Sequence, residues 1–176
     1  LPAARNGYVT FGSFNNLAKL TPEVIDLWSR VLRASPKSRL LLQSHGLQDE
    51  PTRARVVAQF ASHGVGVDRL EVIGKQPLAE HLQTMTQRAD ILLDPFPFTG
   101  HTVSLHALWC GLPLLTCVGT TFAGRVAGSL LHAVGLPELA TSSLEEYERL
   151  ALRLATEPRR LSELRASLAH TASLFD

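Results

Sequence analysis

The amino-acid sequence predicts an α/β fold: a mainly parallel sheet between two helical layers, with further helices at the C-terminal end. Three observations carry this. Short apolar runs alternate with amphipathic stretches of helical period, the order that builds parallel sheets. Runs such as Arg39 to Gln43 are apolar almost throughout, as in strands covered on both faces. From Ser143 onward only helical patterning remains.

Each element follows from local residues. Tyr8 to Phe14 reads as the first strand, followed by the polar loop Asn15-Asn16-Leu17-Ala18-Lys19-Leu20. Thr21-Pro22-Glu23 starts a helix, with Thr as N-cap, Pro in the first turn and an acid at the positive dipole end. Val24, Leu27, Trp28, Val31 and Leu32 form its apolar face, and Ser35-Pro36 ends it. Arg39 to Gln43 is the second strand, Thr52 to His63 a helix closed by Gly64, and Leu70 to Ile73 the third strand. Leu78 to Gln87 is a helix, Ile91 to Leu93 the fourth strand, and Thr102 to Cys110 a helix stopped by Gly111. Leu114 to Thr116 is the fifth strand and Phe122 to Val134 a helix ended by Gly135. Two tail helices follow, Ser143 to Thr156 and Glu157-Pro158 to about Ala172. One domain is expected, an α/β core over 1–142 with a helical tail over 143–176. The opening Leu1-Pro2-Ala3-Ala4, without an initiator Met, suggests a piece of a longer chain.

Composition narrows the function classes. The chain has 176 residues, 45% hydrophobic and 19% charged, with 17 Lys+Arg against 16 Asp+Glu. That near-neutral balance, without a basic run, argues against a nucleic-acid partner. The apolar stretches around Leu40-Leu41-Leu42 and Leu112 to Val118 are too short to cross a bilayer, and no membrane partner is expected. Cys110 and Cys117 form neither a metal-type pair nor a disulfide framework and read as thiols in a reducing, cytoplasmic setting.

The densest chemistry lies in Ile91 to Ser104, where an apolar strand meets a Pro-broken loop, then Gly100-His101-Thr102, then a helix. That order puts unpaired amides and a positive dipole end on the carboxyl side of a strand, where phosphate binds well. The Thr102 hydroxyl and the amides of Thr102 and Val103 are candidates for a diphosphate, with His101 as a donor. The alternative is a helix capped by its own Thr. Lys19 lies in the first-strand loop and could offset charge on a phosphate leaving group, or be a solvated surface lysine. Asn15 and Asn16 share that loop as possible turn residues. His101 and His106, about 140° apart round a helix, do not make a metal pair. His45, His63, His132 and His170 lack partners at metal-ligand spacing, so no metal is expected. No Gly-x-Ser-x-Gly elbow and no Gly-x-Gly-x-x-Gly fingerprint is present, which argues against a hydrolase and a dinucleotide oxidoreductase. Glu145, Glu146, Glu148 and Arg149 read as a solvated face of the tail.

Together these residues resemble a known family. Phe11 to Pro22 is similar to the start of the C-terminal lobe of O-GlcNAc transferases, the family 41 glycosyltransferases. The likeness continues through Ala89 to Asp94, Gly100-His101-Thr102, Ala107 to Pro113, Arg125-Val126-Ala127 and Glu145-Glu146-Tyr147. The resemblance implies the GT-B architecture, in which a UDP-sugar lies between two Rossmann-like lobes without a catalytic metal or other cofactor. It gives Lys19 the diphosphate contact that supports departure of UDP, and puts His101 and Thr102, with Gly100 and Val103, at the diphosphate. It places Asn16 against the donor, His81 and the Gln76 backbone beside uracil, and Gln43 in the nucleoside pocket. His106 stands where animal members carry a ribose-binding aspartate. Leu78 and Thr84 replace cations near the base, and Val103 replaces a threonine, as in a bacterial or divergent member.

The leading expectation is therefore the donor-binding half of an inverting enzyme that transfers GlcNAc from UDP-GlcNAc to Ser or Thr hydroxyls of polypeptides. Its partners would be the UDP-sugar, an N-terminal catalytic lobe, upstream tetratricopeptide repeats and a polypeptide acceptor. The alternatives are a glucosyltransferase acting on Asn or another acceptor, and a nucleotide-binding module without catalysis.

Overall fold

The computed structural model describes residues 1–169. Its elements are α1 (Pro2–Asn6), β1 (Thr10–Ser13), α2 (Pro22–Ala34), β2 (Arg39–Gln43), α3 (Glu50–Ser62), β3 (Leu70–Ile73), α4 (Leu78–Arg88), β4 (Ile91–Leu93), α5 (Thr102–Trp109), β5 (Leu114–Cys117), α6 (Val126–Ala133), β6 (Ala140–Thr141), α7 (Leu144–Thr156) and α8 (Pro158–Ala169). The strands form one parallel six-stranded sheet in the order β3-β2-β1-β4-β5-β6. α2 packs beside α3 and α7, while α5 packs beside α4 and α6. With right-handed crossovers these sets cover opposite faces of the sheet. The order reverses between β1 and β4, so their carboxyl ends open a crevice at the topological switch point.

The strand interiors are as dry as their sequence implies. Phe11, Leu40, Leu41, Ile91, Leu92, Leu93, Leu114 and Leu115 are fully buried. The whole expected apolar face of α2, from Val24 to Leu32, is buried, and Thr21 Oγ1 caps the helix by accepting the Val24 N–H at 3.3 Å. The expected terminators Gly64, Gly111 and Gly135 take φ of +79°, +71° and +75°, which a side chain would strain.

Several boundaries differ from expectation. β1 is shorter than Tyr8 to Phe14, because only Thr10–Ser13 has partners on both β2 and β4 or on β2 alone. α3 starts two residues early, since Asp49 accepts the Thr52 N–H at 3.0 Å and Pro51 fits the first turn. The stretch from Phe122 to Arg125 is a turn rather than helix: Gly124 O accepts the Gly119 N–H at 2.8 Å and folds the loop back. β6, a sixth strand, is too short to leave a period-2 signal.

The tail is not wholly solvated. Tyr147, Ala151 and Leu154 of α7 are buried, and Glu148 accepts from Arg30 Nε of α2 at 2.9 Å. Glu146 accepts from the Ser142 amide and hydroxyl at 2.9 and 2.8 Å, closing the start of α7. Glu145 and Arg149 stay exposed as expected. The expected run of α8 to Ala172, and His170, lie outside the described residues.

Candidate functional site

Two loops meet at the switch point. The loop after β1 carries a single 3₁₀ turn, Leu17–Lys19, and the two asparagines before it divide the work. Asn16 is exposed and caps that turn, accepting the Ala18 N–H at 2.9 Å. Asn15 is buried and turns its Oδ1 to Lys19 Nζ at 3.3 Å, while its Nδ2 has no hydrogen-bond partner. Sequence reasoning had no way to rank the two.

Lys19 is not a solvated surface lysine. Its Nζ donates to Thr99 O at 2.9 Å across the crevice and lies 4.4 Å from the centre of the Phe98 ring. An ammonium has three N–H donors and two acceptors are engaged, so one remains for a ligand. Burial pulls the Lys19 ammonium below the usual lysine range, and Asp94 pulls it back up.

The loop after β4 supplies the other wall. Asp94 is buried; its Oδ1 accepts the Gly100 N–H and its Oδ2 the Thr116 hydroxyl, both at 2.7 Å. Its main-chain oxygen accepts the Tyr147 hydroxyl at 3.0 Å, and Tyr147 Oη accepts from Trp28 Nε1 at 3.2 Å. Burial outweighs these contacts and pushes the Asp94 carboxyl up to about 7. Thr99 ties the same loop toward α6, donating from Oγ1 to Ala123 O at 2.6 Å and accepting the Ala127 N–H at 3.4 Å. Gly100 must be glycine here, because a Cβ would come within 2.8 Å of Asp94 Oδ1 and would also press on Ser104 Oγ. Asp94 and Thr99 were missed as site residues; the signal was a buried-type strand running directly into a lone acid.

α5 then begins with its amides toward the crevice. His101 is the N-cap and no side chain caps the helix, whereas α2, α3 and α7 are capped by Thr21, Asp49 and Ser143. α4 and α6 share the lack of a side-chain cap. Thr102 is the first helical residue and is exposed, so it is not its own helix's cap. The His101 ring stacks on Phe98 at 5.3 Å between centroids and meets Phe122 edge-on at 6.3 Å. A cation with a free donor beside uncapped helix amides favours a doubly charged oxyanion such as diphosphate.

Along the same edge, Phe14, Asn16, Gln43, Ser44, His45, Lys75, Gln76 and His81 line a cavity of about 250 Å³. Gln43 is buried; its Nε2 donates to Gln76 Oε1 at 2.5 Å and its Oε1 lies 2.9 Å from His81 Nδ1. Thr84 Oγ1 donates to Gln76 Oε1 at 2.9 Å. His81 packs edge-on against Phe14 at 5.6 Å and against His106 at 6.0 Å. Burial, aided by His106, lowers the His81 imidazole below its ordinary value, favouring a neutral ring. The structure thus gathers Asn16, Gln43, Gln76 and His81 around one hollow, with His106 against His81, and brings Lys19 and His101 onto the same Phe98 ring beside Gly100. Thr102 and Val103 open the helix that runs between α4 and α6. Leu78 is exposed at the start of α4. Ser44, His45 and Lys75 were not anticipated, though each follows the carboxyl end of a strand.

Among the described residues no group of three His, Cys, Asp or Glu side chains could hold a metal ion, and no helix is long and apolar enough to cross a membrane. Cys110 and Cys117 are unpaired.

Comparison with known proteins adds the family. The model of "Glycosyl transferase family 41" matches residues 3–176. A mutant of the Thermobaculum terrenum O-GlcNAc transferase superposes with a TM-score of 0.92 at 40% identity, over 95% of this chain and 32% of that one. A Petunia hybrida protein named "Probable UDP-N-acetylglucosamine--peptide N-acetylglucosaminyltransferase SPINDLY" is 40% identical over 171 residues, 95% of this chain. A UDP-N-acetylglucosamine–peptide N-acetylglucosaminyltransferase of Caenorhabditis elegans is 34% identical over 171 residues, 96% of this chain. The chain spans 18% of the Petunia protein and 14% of the worm protein. With a family model matched over almost its whole length and an architecture shared with the bacterial enzyme, the chain belongs to glycosyl transferase family 41.

Proposed function

We propose that this chain is the donor-holding half of an inverting glycosyltransferase that moves GlcNAc from UDP-GlcNAc to Ser or Thr hydroxyls of polypeptides. The observation that carries the reading is the pairing of Lys19 Nζ with Thr99 O across the crevice, one loop from the uncapped start of α5. A diphosphate seated there meets the remaining Lys19 N–H and the Thr102 and Val103 amides, with the Thr102 hydroxyl and His101 beside them. Gly100 keeps the backbone close. The hollow of Gln43, Gln76, His81 and Asn16 takes the nucleoside, and His106 reaches the ribose hydroxyls.

In the reaction the acceptor oxygen bonds to the anomeric carbon as the bond from that carbon to the β-phosphate oxygen breaks. UDP leaves with the electron pair, and the hydroxyl proton passes to a base outside this chain. Charge on the departing diphosphate grows in the transition state, so Lys19 and the α5 amides accelerate the step without a metal. An N-terminal catalytic lobe and tetratricopeptide repeats would supply the acceptor side, in a reducing, cytoplasmic setting that suits the two free thiols.

Calorimetric titration of the chain with UDP, GDP and ADP tests the reading. Saturable binding of UDP in preference to the other two, weakened by His101→Ala, is expected. Absence of heat with all three contradicts it.

A further inference from the structure

We propose that Asp94 is a positioning residue of the donor site: it fixes the Gly100 turn and the aim of Lys19 while touching no donor atom. This rests on the donor-binding reading above and adds a residue to it. Asp94 is 1% exposed, so it cannot itself meet a ligand. Its two carboxylate oxygens take different partners, one the Gly100 amide that leads into α5 and one the Thr116 hydroxyl on β5. Its main-chain oxygen is held from the other face of the sheet by Tyr147 of α7, which Trp28 of α2 holds in turn. Asp94 thus joins the loop after β4, β5 and α7 at the root of the crevice.

Three observations tie this carboxylate to the site rather than to the core alone. Lys19 is the cation whose charge acts on Asp94, and Asp94 acts back on Lys19. Lys19 Nζ bonds Thr99 O, the residue next to the one whose amide Asp94 holds. A Cβ on Gly100 would press on Asp94 Oδ1, on Ser104 Oγ and, at 3.3 Å, on Asn15 Oδ1, so these polar atoms converge on one point. The groups facing Asp94 from other elements are Lys19 and Asn15 from the β1 loop, Thr116 from β5 and the Tyr147 phenol from α7.

The test reads Lys19 directly, with no nucleotide present. Nitrogen-15 labelling of lysine follows the Lys19 Nζ titration in wild type, Asp94→Asn, Thr116→Val and Asp90→Asn. Loss of the nearby negative charge lowers the Lys19 midpoint by about 1 pH unit in Asp94→Asn. Thr116→Val removes one anchor of the carboxylate but leaves it charged where Lys19 titrates, so the midpoint stays while UDP affinity falls about 3-fold; it serves if Asp94→Asn does not fold. Asp90→Asn, in an equally buried aspartate remote from the crevice, leaves it unmoved. UDP affinity of Asp94→Asn falls about 10-fold, as for a lost charge-assisted contact. A Lys19 midpoint unchanged in Asp94→Asn overturns the proposal, and so does wild-type UDP affinity in both Asp94→Asn and Thr116→Val. Failure of the donor-binding reading shows differently, as wild-type protein that does not bind UDP at all while the Lys19 titration still responds to Asp94.

Discussion

Asp90 and Asp94 flank the same three-residue strand, β4, and both carboxylates are out of reach of water. At the amino end, Asp90 accepts the Ala3 and Thr10 amides, each at 2.8 Å, and so staples α1 and β1 to the sheet. The cation beside it, Arg165, is itself directed at main-chain oxygens, including Ala89 O at 2.7 Å. At the carboxyl end, Asp94 holds a loop amide and a threonine hydroxyl, and its cation keeps one donor for the crevice. Residue type and burial are the same at both ends. Arg165 Nε is also left without a partner but is buried at the amino edge, whereas the spare Lys19 donor faces the crevice; a staple and a site differ in which edge of the parallel sheet the cation lies on.

The comparison predicts separable effects. In the complete enzyme, Lys19→Ala lowers turnover by about 10²- to 10³-fold, the usual loss for one transition-state charge contact; steady-state kinetics check it, and a change under about threefold removes Lys19 from the mechanism. Asp90→Ala strands two buried amides and lowers unfolding free energy by about 2–3 kcal/mol. Urea melts measure that loss, while UDP affinity of the folded fraction stays at the wild-type value. If Asp90→Ala weakened UDP binding as Asp94→Asn does, the two ends of β4 would not differ in kind.

A smaller effect follows from pH. Burial raises both carboxyls above their ordinary value, Asp94 to about 7. The folded state therefore binds protons more tightly than the unfolded one, and their stabilising effect is complete below the unfolded value of about 3.9. It is lost as pH rises through the folded values, so stability falls between about pH 4 and 7, by up to about 1.4 kcal/mol per pH unit for each proton involved. Asp94→Asn flattens that fall, which melts at pH 5 and 7 detect. The smallest effect is a control: Thr21→Ala removes the α2 cap, costs about 1 kcal/mol, and leaves Lys19 and UDP binding alone.

Much of this was legible in the residues. Apolar runs and glycine stops located five of the six strands, because they depend on local burial and backbone geometry. That Lys19, Gly100 and His101 lie on loops at the carboxyl edge was legible from their places after strands, while Gln43, Gln76 and His81 are assigned to the donor by the family resemblance. The division between Asn15 and Asn16 was not, since both fit a turn and only the packing of Thr99 against Lys19 decides which one faces inward. Asp94 was hidden for the same reason: its partners Thr116 and Tyr147 lie 22 and 53 residues away. β6 and the pairing of Glu148 with Arg30 likewise depend on contacts that no short window contains.

The central claim is that a nucleoside diphosphate sits on the amides opening α5, opposite Lys19. Amide and lysine side-chain shifts recorded while UDP is added to the labelled chain test it most directly. The largest changes should fall on Thr102, Val103 and Lys19 Nζ, with Gln43 and Gln76 side-chain amides following. Saturation that leaves Thr102, Val103 and Lys19 unmoved, or that shifts the Asp90 edge of the sheet instead, would contradict it.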